Sequence, residues 1–309
     1  MYHIIVNPAS RSGKGRDIWK KQIEPALIKE QVSYRSYLSE KPGDVIKIAK
    51  EISAAAESDA PLRIIVLGGD GTVNETLQGI EDPSRLILGY IPTGSSNDLA
   101  RDLKIPKKPL DALQRILHAA TPTPVDLGSV TYSDGEMRRF LVSCGIGYDA
   151  AVCEKVGRSP MKNTLNKIGL GKLIYLAIAL RTLFAAGSVP GTLTLDHETP
   201  VNIGNILFVA CMLHRYEGGG FMFAPKADAH DGILNLCAVG DIPKSLILFA
   251  LPTAFYGKHY RFQGINPYTA KGIVIESAAP LWVHTDGEVT RKAHRITVSC
   301  QKDAFSMLL

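Results

Sequence analysis

Arg63-Ile64-Ile65-Val66-Leu67-Gly68-Gly69-Asp70-Gly71-Thr72 is the stretch that decides how the first half of this chain is read. Its apolar run specifies a short buried strand. Three glycines then strip the following turn of Cβ atoms, so backbone N–H groups can approach an anion closely. Thr72 is placed to cap a helix over Val73 to Ile80, whose N-terminal dipole adds to that attraction. Asp70 would repel a phosphate directly, and its presence predicts a Mg²⁺ between carboxylate and nucleotide. Taken alone, the pentapeptide is equally readable as a tight strand-to-helix turn with a surface carboxylate.

Two further turns of the same kind flank it. The strand Arg85 to Ile91 runs into Pro92-Thr93-Gly94-Ser95-Ser96-Asn97-Asp98, where Gly94 permits the turn and Asn97 and Asp98 sit where a helix should begin. At the N-terminus, the strand Tyr2 to Val6 leads into Asn7-Pro8-Ala9-Ser10-Arg11-Ser12-Gly13-Lys14-Gly15, which offers Arg11, Lys14 and Arg16 as phosphate-facing cations. Loops at the carboxyl ends of parallel strands share one edge of the sheet, so the three turns can meet on one ligand, a nucleotide.

Two other glycine motifs carry less. Gly13-Lys14 is not a P-loop, because Pro8 stands where the first glycine belongs and Gly15 replaces the Ser or Thr. Gly145-Ile-Gly147-Tyr-Asp-Ala150 follows a strand and formally satisfies a dinucleotide fingerprint, yet no second strand ending in an acidic residue comes some twenty positions later. Close backbone packing where the chain crosses between domains is the expected use of Gly145 and Gly147.

Periodicity divides the chain near Gly128. Before it, strand-like and helical runs alternate, with helices expected over 16–30, 43–57, 72–80, 97–102 and 109–119, the pattern of βαβ units in a doubly wound parallel sheet. After it, short β-rich runs dominate, among them Gly272 to Glu276 and Leu281 to Thr285, with helical interruptions at about 150–187 and 243–257. The expected organisation is an α/β nucleotide-binding domain over 1–128 and a mostly antiparallel β-sandwich over 129–309 with the acceptor site. The C-terminal segment is free to pack back on the first domain.

The Asn7-Pro8 loop, Gly68 to Glu75, the turn Gly94 to Ala100, Pro124-Val-Asp126-Leu-Gly, Asp228-Ala-His-Asp231-Gly-Ile233 and Asp286-Gly287-Glu288 together resemble the bacterial diacylglycerol kinase family. That family of soluble lipid kinases shares its catalytic core with sphingosine and ceramide kinases. The GGDGT run alone also occurs in NAD kinases and sugar-phosphate kinases, so the later motifs make the likeness specific. The resemblance implies an NAD-kinase or phosphofructokinase-like first domain. It implies ATP and Mg²⁺, with the nucleotide held by Asn7, Pro8, Ala9, Ser10, Arg11, Gly68, Gly69, Asp70, Gly71, Thr72, Val73, Asn74, Gly94 and Asn97. Asp70, Asp98, Asp126 and Asp286 would form a water-and-magnesium network near the transferred phosphate. Ser39 and Ser95 would also lie near the nucleotide, at positions where the family usually has Thr.

By the same resemblance, Glu288 is the catalytic base that takes the lipid hydroxyl proton, with Asp70 and Asp286 beside it in the reaction. Read without the resemblance, Asp286-Gly287 is a common hairpin turn. A second, structural Mg²⁺ would be held by Asp231 and the backbone carbonyls of Asp228 and Ile233, with a metal-free acidic turn as the alternative. The implied reaction is phosphorylation of diacylglycerol to phosphatidic acid. Sphingoid bases, phosphatidylglycerol or NAD as acceptors remain open, as does a nucleotide-binding protein without activity.

Composition fits this reading without deciding it. The 309 residues suffice for two cores, and five cysteines with no CxxC pair point to reduced thiols rather than zinc or a disulfide scaffold. None of the eight histidines belongs to an HExxH. The most apolar run, Leu173 to Leu180, falls far short of the ~20 residues that span a bilayer. No targeting peptide is evident, so the expected location is the cytoplasm with transient contact at the inner membrane face. A net charge of +5 gives a modest attraction to anionic lipid. Leu165 to Phe184 and Leu246 to Tyr256 are the apolar segments able to line a lipid cleft, rest on a membrane or simply form core. The expected partner is a lipid at the membrane surface and not a nucleic acid; a homodimer is left open.

Overall fold

The computed structural model describes residues 1–57, 60–158 and 171–309, with side chains in all of these except 171–176. Two compact units emerge, Met1–Leu127 with Lys302–Leu309, and Gly128–Gln301. The C-terminal stretch Lys302–Leu309, placed in the second domain by periodicity, thus belongs to the first unit.

In the first unit, strands β1 (Tyr2–Val6), β2 (Tyr34–Leu38), β3 (Leu62–Gly68) and β4 (Leu86–Pro92) are parallel in the order β2-β1-β3-β4. The returning C-terminal segment adds Ser306 and Met307 in parallel beside Ile87 and Leu88 of β4. Ile64, Ile65, Val66 and Leu67 are all 0% exposed, so consecutive residues are covered on both faces, as a sheet wound by helices on each side requires. The chain leaves β1 towards β2 and returns beside β1 as β3, which makes the β1/β3 boundary the switch point of the sheet.

The helix expected over 16–30 is broken into Gly15–Ile18, a widened turn at Trp19–Ile23, and Glu24–Lys29. Pro25 supplies the reason. It has no N–H for the Lys21 carbonyl, and its ring crowds that oxygen, so the preceding turn widens.

The second unit takes up β5 (Thr123–Tyr132) from Gly128 onward, then β6 (Met137–Phe140), β7 (Ser143–Gly147), β8 (Val189–Leu195), β9 (Val201–Met212), β10 (Leu234–Gly240), β11 (Ile265–Ala270), β12 (Gly272–Thr285) and β13 (Glu288–Met307, within this unit to Gln301). Antiparallel neighbours run β11-β10-β9-β7-β12-β13, β8 pairs with both β9 and β12, and β5 pairs with β6. The two strands expected at 272–276 and 281–285 are one strand, β12, whose register shifts between Glu276 and Leu281. Strand β11 has no counterpart in the sequence reading, because Asn266 and Pro267 break its alternation; among the described residues it pairs only with β10, at an edge where proline is tolerated.

Successive residues of β9 feed opposite faces. Val209 and Cys211 pack with Leu236, Ile273 and Ile296. Phe208, Ala210 and Met212 pack with Val239 and with Leu183, Ile247 and Ala250 from the helices Gly171–Ala185 and Lys244–Ala254. No helix among the described residues is long and apolar enough to cross a membrane.

Candidate active site

The carboxyl ends of β1, β3 and β4 are tied into one edge of the first unit. The Asn7 N–H donates to the Leu67 carbonyl at 2.9 Å, and Asn7 Nδ2 donates to Thr72 Oγ1 at 3.1 Å. The Ser10 hydroxyl donates to the Asn7 carbonyl at 2.8 Å and also lies 2.8 Å from Thr93 Oγ1. The Thr93 N–H in turn donates to the Gly68 carbonyl at 2.7 Å. Three loops distant in sequence therefore hold one another before any ligand arrives.

The helix after β3 begins at Asp70 rather than Thr72, with Gly69 as its N-cap and no capping side chain. Thr72 does not cap, because it lies inside the first turn, where its hydroxyl accepts from Asn7 Nδ2. Starting two residues earlier brings the first-turn N–H groups against the glycine turn itself, and those of Thr72 and Val73 donate to the Gly69 carbonyl at 2.9 and 3.2 Å. Val73 and Asn74 are 1% and 0% exposed, buried beneath this edge.

Gly69 and Gly94 face each other. A Cβ on Gly69 would lie 3.0 Å from Gly94 Cα, and one on Gly94 would lie 2.6 Å from Gly69 Cα and from Asn97 Oδ1. Gly94→Ala must push the β3 and β4 loops apart, and about 1–3 kcal/mol of stability is the usual cost of such overpacking. The expected outcome is a folded variant whose nucleotide affinity falls by about tenfold or more, the effect of a small misplacement of binding groups. Calorimetric titration beside a thermal melt checks it; unchanged affinity would remove this edge from the nucleotide site.

Asp70 is half-buried and already oriented. Its Oδ2 accepts the Asp98 N–H at 2.9 Å, and its Oδ1 accepts the Tyr90 hydroxyl at 3.2 Å. Burial, reinforced by the Asp70 charge, pushes the Tyr90 phenol well above its ordinary range, so it stays a proton donor to the carboxylate. Asn97, at φ 50°, uses its side chain to clasp Gly94, accepting from the N–H at 2.9 Å and donating to the carbonyl at 3.0 Å. Asp98 is 4% exposed, with Arg101 Nη1 at 3.5 Å.

The remaining first-unit candidates sit around this edge or away from it. Ser39 follows β2 and donates its N–H to the Val6 carbonyl at 3.0 Å, next to Asn7. Ala9, Arg11 and Ser95 are exposed, and Pro8 is half-buried. Asp126 is fully buried and accepts the Asp303 N–H at 2.9 Å, which fastens β5 to the returning C-terminal segment.

Asp286 and Glu288 lie in the second unit. Asp286 (φ 50°) and Gly287 (φ 83°) are the two left-handed residues of a tight hairpin in which Thr285 pairs with Glu288. The Asp286 carboxylate accepts N–H groups from Leu141 at 2.9 Å, Val142 at 2.8 Å and Ser143 at 2.9 Å, while its own N–H donates to the Ser143 carbonyl at 2.8 Å. Glu288 projects from the turn, exposed. In the loop before β10, Asp228 accepts the His230 N–H at 3.1 Å and Asp231 accepts the Ile233 N–H at 2.8 Å. Among the described residues no three His, Cys, Asp or Glu side chains are grouped to hold a metal ion.

One cluster escaped the sequence reading. His284, 1% exposed, places Nε2 at 3.3 Å from Asp149 Oδ2 and 3.2 Å from Glu217 Oε1. Burial alone would lower its pKa, but Glu217, Asp149 and Asp286 outweigh it and raise the ring to about 9. The Gly287 N–H donates to Nδ1 at 3.2 Å and acts in the other direction, favouring that nitrogen unprotonated. Gly145 makes room for the cluster, since a Cβ there would strike both Asp149 and His284. Gly145 and Gly147 thus serve close packing as expected, but within β7 of the second unit rather than at a domain crossing. The one available signal was Asp149, inside a glycine run weighed only as a dinucleotide fingerprint.

Family profiles match both halves: Diacylglycerol kinase catalytic domain over residues 1–130, and YegS C-terminal NAD kinase beta sandwich-like domain over residues 142–308. The chain belongs to the diacylglycerol kinase catalytic-domain family. Within it, a Bacillus subtilis (strain 168) protein bearing a lipid-kinase name, YtlR, is 31% identical over 93% of each chain. A diacylglycerol kinase of Staphylococcus epidermidis is 28% identical over 98% of this chain and 93% of its own. The crystal structure of a diacylglycerol kinase from Bacillus anthracis str. Sterne superposes with a TM-score of 0.74 at 26% identity, over 99% of this chain and 96% of that one. Membership of the diacylglycerol kinase family makes this protein a kinase, built as the α/β unit and β-sandwich that the sequence implied.

Proposed function

We propose that the protein is an ATP-dependent lipid kinase that transfers the γ-phosphate to a diacylglycerol hydroxyl, giving phosphatidic acid. The observation that carries this reading is the interlocked edge of β1, β3 and β4 at the sheet's switch point, where glycine-bared backbone surrounds an oriented carboxylate, Asp70. Phosphoryl transfer needs positioning and charge neutralisation more than covalent help, and such an edge supplies positioning. The donor set there, the carboxylates of Asp70 and Asp98, is hard oxygen and fits Mg²⁺, which when bound would neutralise phosphate charge. Asp231 with the Asp228 and Ile233 carbonyls is likewise a hard-oxygen set suited to a structural Mg²⁺. In this reading Glu288 takes the acceptor proton. Asp286 positions it by fixing the hairpin to three backbone amides, in place of the directly catalytic role the resemblance suggested. Asp126 acts by holding β5.

Two of the relatives considered above carry diacylglycerol kinase names, and YtlR a lipid-kinase name without an acceptor, so the acceptor is the part to test. Incubation with γ-labelled ATP, Mg²⁺ and a panel of lipids in mixed micelles does so. Label on diacylglycerol is the expected result. Label on a sphingoid base, on phosphatidylglycerol or on NAD would reassign the acceptor, and nucleotide binding without transfer would make this a binding protein.

A further inference from the structure

The helix Lys244–Ala254 buries Ile247, Ala250 and Ala254 against the β9–β10 face, yet its other side is also apolar. Phe249 is 71% exposed, Phe255 47% and Tyr256 75%. Phe249 and exposed Pro252, three positions apart, share one face of the helix, and Phe255 and Tyr256 continue the stripe in the turn that ends it. The stripe is held rigidly: Phe255 stacks on Phe221 with ring centroids 4.1 Å apart. Lys244 Nζ donates to the carbonyls of Phe184 at 2.9 Å and Ala186 at 2.6 Å, which fixes the end of the neighbouring helix, with Phe184 59% exposed, beside the start of this one. Single exposed apolar residues need no explanation, but Phe249, Pro252, Phe255 and Tyr256 along one helix and the turn that ends it form a patch, with Phe184 tethered near the start of that helix.

Along the sequence, the charge carried by the segments that bear the patch has one sign. From Ile242 to Ile275 the sequence holds Lys244, Lys258, Arg261 and Lys271 and no Asp or Glu, and from Gly171 to Leu195 it holds Lys172 and Arg181 and again no acid. This in a chain with 30 acidic residues is segregation. Aromatic rings flanked by cations of uniform sign suit a surface that is apolar within and anionic at its boundary, namely a bilayer bearing acidic headgroups. We infer that the stripe Phe249, Phe255 and Tyr256, with Phe184 and flanking Lys258 and Arg261, is the surface by which this protein docks on anionic membranes. The inference rests on the lipid-kinase reading for its purpose, since a diacylglycerol acceptor lies in a bilayer, but not for its test.

The test is sedimentation of the full chain, without nucleotide, with vesicles of phosphatidylcholine alone or mixed equally with phosphatidylglycerol. The intact chain should pellet with the mixed vesicles and release in high salt. The double variant Phe249→Ser/Tyr256→Ser should partition about tenfold or more weaker, as should Lys258→Glu/Arg261→Glu, if apolar burial and charge act together. Phe249→Ser alone, at a highly exposed position, with a thermal melt, guards against misfolding. Activity on detergent-dispersed short-chain diacylglycerol should be unchanged in these variants. No binding by the intact chain, or full binding by both double variants, overturns the inference. Sedimentation velocity showing that Phe249→Ser dissociates a dimer while vesicle binding persists assigns the patch to self-association instead and overturns it too. Vesicle binding with no kinase activity on any lipid would leave the docking surface standing while removing the kinase reading.

Discussion

Glu288→Gln is expected to cut turnover by roughly two to four orders of magnitude, the usual contribution of a positioned general base. The substitution keeps shape and removes only the ability to take a proton. Glu288 is exposed at the end of a hairpin whose geometry is fixed by its neighbours, Asp286 on three backbone amides and Gly287 at positive φ. Folding, melting temperature and nucleotide affinity should therefore match the unaltered protein, and the loss should fall on kcat with KM for the lipid little changed. Steady-state kinetics with labelled ATP across a range of pH reads all of this, and near-normal turnover would refute the role. Asp286→Asn separates the two acidic residues of the turn. An amide presents a donor to one of three N–H groups, so that variant should lose stability together with activity, whereas Glu288→Gln loses activity alone.

The sequence disclosed most where chemistry and local geometry coincide. Gly68-Gly69-Asp70-Gly71 had to be a turn because no other residue types allow backbone to close on backbone, and the structure indeed brings Gly69 against Gly94. That β1 to β4 run parallel followed from alternation of strand and helix, though their order did not. What stayed illegible depends on contacts between distant segments. Thr72 looked like a cap because capping is local, but it lies inside the first turn, and Asn7, far away in sequence, donates to its hydroxyl. Strand β11 was hidden by a proline tolerated at a sheet edge. Asp286 read as a reacting group, and only the path of residues 141–143 shows it holding their amides. The His284 cluster was invisible for the same reason, since Asp149, Glu217 and His284 are each unremarkable alone.

That cluster leads to the largest expected effect on stability. His284→Ala should destabilise the protein by about 3–5 kcal/mol, the usual result of removing one partner from a buried ion pair and leaving the other uncompensated. Here two carboxylates, Asp149 and Glu217, would be left facing each other beside Asp286, with the Cys144 and Cys211 thiols, themselves pushed up by burial, unable to neutralise them. The same charges give the intact protein a pH signature. A ring that titrates near 9 when folded and at its ordinary 6.5 when unfolded binds more protons in the folded state between those values. Its contribution is therefore complete below about 6.5 and is lost as pH rises through about 9. Urea unfolding at about pH 6, 7.5 and 9.5 should show stability declining across this range in the unaltered protein and a flatter profile in His284→Gln, which restores a donor without a charge. If His284→Ala unfolds at the same urea concentration as the unaltered protein, with parallel pH profiles, the ring carries no charge in the fold. Because the ring sits directly before the Asp286-Gly287 turn, any stability it loses at high pH should be accompanied by a fall in kcat that Glu288 alone does not produce.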